Sequence, residues 1–326
     1  SITITRSDDY WDPAISPKVN EVVFLAVPDS SAMSSGLLTG ELDGTFTAPN
    51  ESIEQMKSSD VGTLYAGKST QSTLLIPNVQ GPLGDVRLRK ALSLAVDRTV
   101  IADVAFGGTA SPGKSIDTPL TWGYGADILQ AGYDALPAGP TPDLDAAKVL
   151  VDEYVAENGE LTDPLVMWVS GDRDVWTQTG NAVADAAKEI GIPIEVVAPP
   201  VQDFANWLYD PATREATDLF LTPWWTDLPD PLQAFLPITL PGIFNPFDYS
   251  NPEVDQLLAE ATATPDGPER ADLVNQARAI MFDTDMMWIP LVNMAAAVFI
   301  NDRISGAPVS MPTYLYYPWA ADLSGN

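Results

Sequence analysis

The chain has 326 residues, enough for one large or two ordinary domains. Forty-five Asp and Glu against sixteen Lys and Arg leave a formal net charge of −29. That surface repels nucleic-acid phosphates and anionic lipid heads and argues against both as partners. With no cysteine and no histidine, Cys/His zinc sites, iron–sulfur clusters, disulfides, thiol nucleophiles and a Ser–His–Asp triad are excluded.

Taken in chain order, the first stretch alternates strand and helix. Val19 to Leu25 is β-branched and apolar and predicts a strand. Asp29 and its neighbours offer a helix cap, with Ala32, Met33 and Leu37 on one helical face. Leu42 to Phe46 predicts a short strand, Glu51 to Lys57 a short helix, and Thr73 to Asn78 a strand ended by proline. Asp85 then caps a helix with Leu88, Ala91, Leu92 and Ala95 at helical spacing. Arg87, Arg89 and Lys90 lie toward its other faces and read as a solvated basic surface. Residues 107–142 are rich in Gly, Pro, Ser and Thr and read as a long irregular segment.

From Asp143 the rhythm resumes. A capped helix stops at Gly159, a strand covers 165–169, and a turn at 171–174 leads into a helix ending near Ile190. Strands follow at 193–197 and 218–222, with a short helix between them at 204–209. This order predicts right-handed crossovers and a mostly parallel sheet, in which ligands bind beyond the carboxyl ends of the strands. Asn251 and Pro252 open one helix and Pro268 a second. Trp288 to Ile300 predicts one or two strands, too short and too broken by Pro290 and Asn293 to span a membrane. The fold class is α/β.

The densest chemistry is the run Thr222-Pro223-Trp224-Trp225-Thr226-Asp227-Leu228-Pro229-Asp230, directly after a predicted strand. Two indoles there offer an apolar wall and Asp227 and Asp230 offer charge, a combination suited to a ligand with an ammonium head. The same residues equally read as a packed tryptophan pair and an Asp-Pro turn. Arg173, in the turn after strand 165–169, offers a guanidinium of the kind that takes a carboxylate bidentately, but on sequence alone the favoured reading is half of a salt bridge in a very acidic protein. A hydrolase using Asp227 and Asp230 as a carboxylate pair is the enzymatic alternative. No nucleotide-binding loop and no metalloprotease motif is present.

Five blocks together carry a family resemblance. Gly84-Asp85-Val86-Arg87-Leu88-Arg89-Lys90-Ala91-Leu92-Ser93-Leu94-Ala95-Val96-Asp97-Arg98 resembles the DVRVRQALSLAIDR block of family 5 extracellular solute-binding proteins, the dipeptide, oligopeptide and nickel receptors of ABC importers. Asp8-Asp9-Tyr10-Trp11 with Pro17-Lys18-Val19, then Leu38 to Asp43, Tyr249 to Asp255 and Trp288 to Leu291 are similar to four further blocks of that family, in the same order.

The resemblance implies an α/β type 2 periplasmic-binding-protein-like fold, two-lobed and closing on its ligand by hinge motion. It implies a non-enzymatic, extracytoplasmic role, periplasmic or anchored at the cell surface as a lipoprotein. Such a receptor is a monomer without cofactor or metal that captures a peptide, or a sugar, and passes it to an ABC permease. It further implies that Asp227 pairs the ligand's amino group with Trp224 beside it, Trp225 and Asp230 nearby, and that Arg173 takes the ligand carboxylate. In the family the first of these blocks stands well into the chain; here it begins at residue 8. The chain is therefore expected to be an N-terminally truncated, carboxyl-terminal part of such a receptor. Residues 1–76 and 304–326 would be the remnant of the first lobe and 77–303 the second lobe. Binding by so incomplete a cleft is expected to be weak.

Overall fold

The computed structural model describes residues 1–265 and 267–326. In chain order the elements are strands β1 (Ile2–Thr5) and β2 (Glu21–Phe24), helix α1 (Ser30–Thr39), β3 (Gly44–Thr45), α2 (Ile53–Lys57), β4 (Gly62–Gly67), β5 (Gln71–Pro77), α3 (Val86–Ala95), α4 (Arg98–Val100), β6 (Ser111–Pro112), α5 (Ala126–Asp134) and α6 (Leu144–Asn158). They continue with β7 (Leu165–Trp168), α7 (Asp174–Glu189), β8 (Ile194–Val197), α8 (Val201–Asn206), α9 (Pro211–Arg214), β9 (Leu219–Trp225), α10 (Leu232–Thr239), α11 (Pro252–Ala263), α12 (Pro268–Ala279) and β10 (Ile289–Asn293). The last are β11 (Ala296–Asn301), β12 (Ile304–Ser305), α13 (Met311–Tyr316) and β13 (Ser324–Gly325).

The chain divides into two compact units, Ser1–Ser69 with Ala295–Asn326, and Thr70–Met294. These limits fall before the expected ones at 76/77 and 303/304, for a hydrogen-bonding reason. β5 belongs to the large sheet of the second unit, whereas β11 pairs with β3 and β4 in the first. The predicted stretch 288–300 is thus two strands in two different sheets.

In the first unit, Leu37, Ile53, Met56 and Phe299 fill a small core beside the sheet β3-β11-β4. Strands β1 and β2 form a separate hairpin. Neither β1 nor β4 was expected from the sequence; β1 has no buried residue to set an alternation.

The second unit is built on a six-stranded sheet in the order β6-β10-β5-β9-β7-β8. Only β8, β7 and β9 run parallel; β5 and β10 are antiparallel to their neighbours. This corrects the expected mostly parallel sheet. The β-α-β rule holds for strands joined by a crossover helix, and β5 and β10 are instead the strands by which the chain enters and leaves the unit. Helices cover both faces: α3, α6 and α7 with Leu75, Leu219 and Leu221 on one, and α5, α10, α11 and α12 with Leu74, Phe220 and Trp224 on the other. Segment 107–142, expected to be irregular, contains α5, whose Leu129 and Tyr133 are buried.

The block that carries most of the resemblance turns out to be a staple. Asp85 caps α3 and accepts from Arg87, which also reaches Glu157. Arg89 is not solvated as expected but nearly buried. Its guanidinium donates to the carbonyls of Leu83, Gly84, Asp285 and Met286. Arg98, 1 % exposed, donates to the carbonyls of Ser93, Gly113 and Pro290, and burial pushes its pKa down to about 10. Buried cations are retained when every donor finds an acceptor. A third, Arg278, pairs with Asp117 at 2.5 Å with both side chains fully buried. Asp117 accepts in addition from Ser115 Oγ and, at 2.7 Å, from Trp122 Nε1.

Candidate ligand-binding site

Strand β9 runs three residues beyond the predicted end at 222, through Trp225, and this decides what the two indoles do. Side chains alternate across a strand. Trp224 therefore shares the face of Phe220 and joins that core. Its ring packs edge-on against Trp288 and Phe244, with centroids at 5.2 and 5.4 Å. Trp225 lies on the face of Leu219 and Leu221 and is 51 % exposed. The expected double-indole wall is not formed. One tryptophan anchors the strand end and the other presents its ring to solvent.

Beyond β9 the loop 226–231 carries Asp227, which is exposed, and Asp230, which is half-buried. The two carboxylates have different surroundings. Asp230 Oδ2 pairs with Arg270 Nη2 at 2.7 Å. Its Oδ1 accepts from Tyr124 Oη at 3.1 Å and from the Leu232 amide at 3.0 Å, closing the start of α10. Arg270 also lies 4.7 Å over the Tyr124 ring. Burial first, and then Asp230, push the Tyr124 hydroxyl well above its ordinary pKa. Gly123 N donates to Pro229 O at 3.1 Å, and a Cβ on Gly123 would meet that oxygen at 2.5 Å. Asp230 is thus engaged by an arginine, a tyrosine and a helix start, and it fixes the loop that presents Asp227.

Arg173 stands at the head of α7, after strand β7, in extended backbone with φ −146°. It is partly exposed and lies between Asp172 and Asp174, yet it pairs with neither. Asp172 instead accepts from Ser170 Oγ at 2.5 Å. Among the described residues, the other eight arginines all place the guanidinium on a carboxylate or on backbone carbonyls. Arg173 alone has no side-chain partner, so the salt-bridge reading of the sequence does not hold here. α7 packs on the face of the sheet that Trp225 shares, and β7 and β9 are adjacent and parallel. Arg173, Trp225 and Asp227 therefore follow the carboxyl ends of two neighbouring strands. Strands β5 and β10 reach the same edge, with Gln71 opposite Trp225 and Asn293 opposite Ser72.

Tyr124, Gly123 and Arg270 were not singled out by sequence reasoning. Arg270 had one legible signal: a lone cation in the first turns of a helix, where the macrodipole disfavours it, requires a carboxylate partner. Gly123 and Tyr124 had none, because they sit in a segment without periodicity. No group of three or more acidic side chains suited to holding a metal ion occurs among the described residues. Among the described residues, no helix is long and apolar enough to cross a membrane.

The sequence model described as bacterial extracellular solute-binding proteins, family 5 middle, matches residues 1–246. The glutathione-binding protein GsiB of Escherichia coli K12 is 26 % identical over 298 residues, covering 89 % of this chain and 55 % of its own. The chain thus spans about half the length of the curated relatives it matches. Among solved structures, the ABC transporter substrate-binding protein CtaP of Listeria monocytogenes superposes with a TM-score of 0.82 at 21 % identity, over 99 % of this chain and 63 % of that one. The oligopeptide-binding protein AppA of Bacillus subtilis, in complex with a nonapeptide, gives 0.79 at 18 % identity, over 99 % and 64 %. At these identities the likeness shows a shared fold.

Proposed function

Because the chain belongs to the bacterial extracellular solute-binding proteins of family 5, with the α/β fold of periplasmic binding proteins, we propose that it is the solute-capturing part of an ABC importer and takes peptides. The solute lies along the carboxyl edge of β7 and β9. Asp227 pairs the free amino terminus, Arg173 takes a carboxylate, and Trp225 covers the apolar part of the ligand. Trp224 supports this from behind by fixing the end of β9, and Asp230 holds the loop. The solute is then handed, chemically unaltered, to permease subunits outside the cytoplasm.

One observation carries this reading: an arginine without a partner in a chain of net charge −29, at the edge where α/β sheets bind ligands. With carboxylates in such excess, leaving one guanidinium unpaired reserves it for an incoming anion. The sugar-binding alternative loses support, because Trp224 and Trp225 face opposite sides of the sheet and cannot flank one ring together. The hydrolase alternative loses support as well, because both Asp230 oxygens are already engaged.

Native mass spectrometry of the protein purified without refolding tests the proposal. The expected result is a co-purified mass that fragments as a peptide and is lost in Arg173→Leu and Asp227→Ala. A retained sugar, or a peptide kept by both variants, would refute it.

A further inference from the structure

We propose that the end of β9 carries a carboxamide subsite, built on Trp224, Thr226 and Asn293, that selects the side chain of the peptide's first residue. It deepens the peptide reading and rests on it. The side chain it favours is neutral and has both an oxygen acceptor and an N–H donor, as in glutamine.

Three side chains at this edge are buried with a polar atom unused. Burial alternates along the strand end and past it: Trp224 and Thr226 are 8 % and 4 % exposed, whereas Trp225 and Asp227 are exposed. Trp224 and Thr226 thus share the face opposite Trp225. Neither Trp224 Nε1 nor Thr226 Oγ1 has a hydrogen-bond partner among the described residues. Asn293 lies opposite Ser72, which lies opposite Trp224, and cross-strand partners point to one face. Asn293 donates from Nδ2 to Tyr133 Oη at 3.0 Å and leaves Oδ1 buried, again with no partner among the described residues. Buried polar groups without partners are few and costly in folded proteins. Three on one face, at the edge where the peptide is proposed to lie, mark a place for a polar group from outside.

The pattern of donors and acceptors names that group. The indole N–H and the threonine O–H call for an acceptor, and the Asn293 oxygen calls for a donor. A carboxamide supplies both. A carboxylate lacks the N–H and would bring a second negative charge beside Asp227; a thioether offers only a weak acceptor. An extended peptide sends successive side chains to opposite sides. With its ammonium on Asp227, the residue after Thr226, its first side chain turns toward Thr226 and Trp224 and its second toward Trp225. Phe244, on the segment between α10 and α11, covers the Trp224 ring edge-on and is itself exposed. Rotation of that ring opens the indole edge without moving a helix or strand.

Calorimetry with glutaminyl-alanine, methionyl-alanine and glutamyl-alanine tests this, together with nitrogen–proton NMR of the Trp224 indole, assigned by its loss in Trp224→Phe. Glutaminyl-alanine should bind at least tenfold more tightly than the other two and should shift the Trp224 signal saturably and furthest. Thr226→Val removes the hydroxyl at nearly constant shape and should cut the preference for glutaminyl-alanine over methionyl-alanine at least threefold. Should that variant not fold, the three dipeptides on the parent protein decide alone. If all three bind alike, or if methionyl-alanine moves the Trp224 signal equally, the subsite is overturned while the peptide reading stands. If none of them binds, both fall.

Discussion

Replacing Asp230 by alanine separates a residue that holds the site from one that touches the solute. The substitution removes the acceptor for the Leu232 amide and the partner of Arg270, an ion pair whose side chains are 13 % and 26 % exposed. A lost helix cap costs about 1 kcal/mol, and a part-buried, charge-assisted hydrogen bond costs about 1.5–3 kcal/mol. Arg270 keeps other interactions, which places the expected loss near the lower end, about 2–3 kcal/mol. For a unit of this size each kcal/mol moves the melting temperature by about 2–4 °C, so Asp230→Ala should melt roughly 5–10 °C below the parent. Asp230→Asn keeps a capping oxygen and should recover about half of that. Asp227→Ala, at an exposed position, should cost under about 1 kcal/mol while losing the solute. Thermal unfolding followed by tryptophan fluorescence, with calorimetry on the same samples, reads both quantities. If Asp230→Ala melts within about 1 °C of the parent yet abolishes binding as fully as Asp227→Ala, Asp230 is a contact and the bracing argument is wrong.

Asp117→Ala leaves the Arg278 guanidinium buried with only Leu129 O and Asn275 Oδ1 to receive it. It should lower stability by about 3–5 kcal/mol in urea unfolding, and a loss below about 1 kcal/mol would show that the pair relaxes into solvent. The Arg87 side-chain hydrogen bond holds the Asp85 carboxyl below its ordinary 3.8. A depressed acid stabilises the fold above its unfolded pKa, and that contribution disappears as pH falls through the lower folded value. Melting curves between pH 2 and 6 should therefore be flatter in Asp85→Asn than in the parent; identical slopes would contradict the assignment. Gly123→Ala places a Cβ against Pro229 O and should weaken solute binding about tenfold by displacing the loop, with an unchanged affinity arguing that the loop adapts freely.

Much of the fold was legible because its signals are local. Asp85, Asp143 and Asn251 cap α3, α6 and α11 through their own side chains. The apolar runs of β5, β7 and β9 reflect a sheet covered on both faces. Sheet polarity was less legible, because β5 and β10 take their direction from where the chain passes between units, and no local pattern records that. The site was legible in composition but not in geometry. Trp224 and Trp225 look equivalent as neighbours in sequence. Ending β9 at Thr222 hid the alternation that buries one and exposes the other. Asp227 and Asp230 also look alike, and only Arg270 and Tyr124, distant in sequence, distinguish them. The partnerless state of Arg173 is a property of every surrounding side chain together and had no trace in its own segment.

The most direct test of peptide capture is calorimetry with one dipeptide in three forms: free, N-acetylated and C-amidated. The parent should prefer the free form over both blocked forms. Asp227→Asn should erase the preference over the acetylated form alone, and Arg173→Leu the preference over the amidated form alone. If both variants keep the parent's order of preference, or if the parent does not discriminate among the three forms, Asp227 and Arg173 do not hold the ends of a peptide and the account fails.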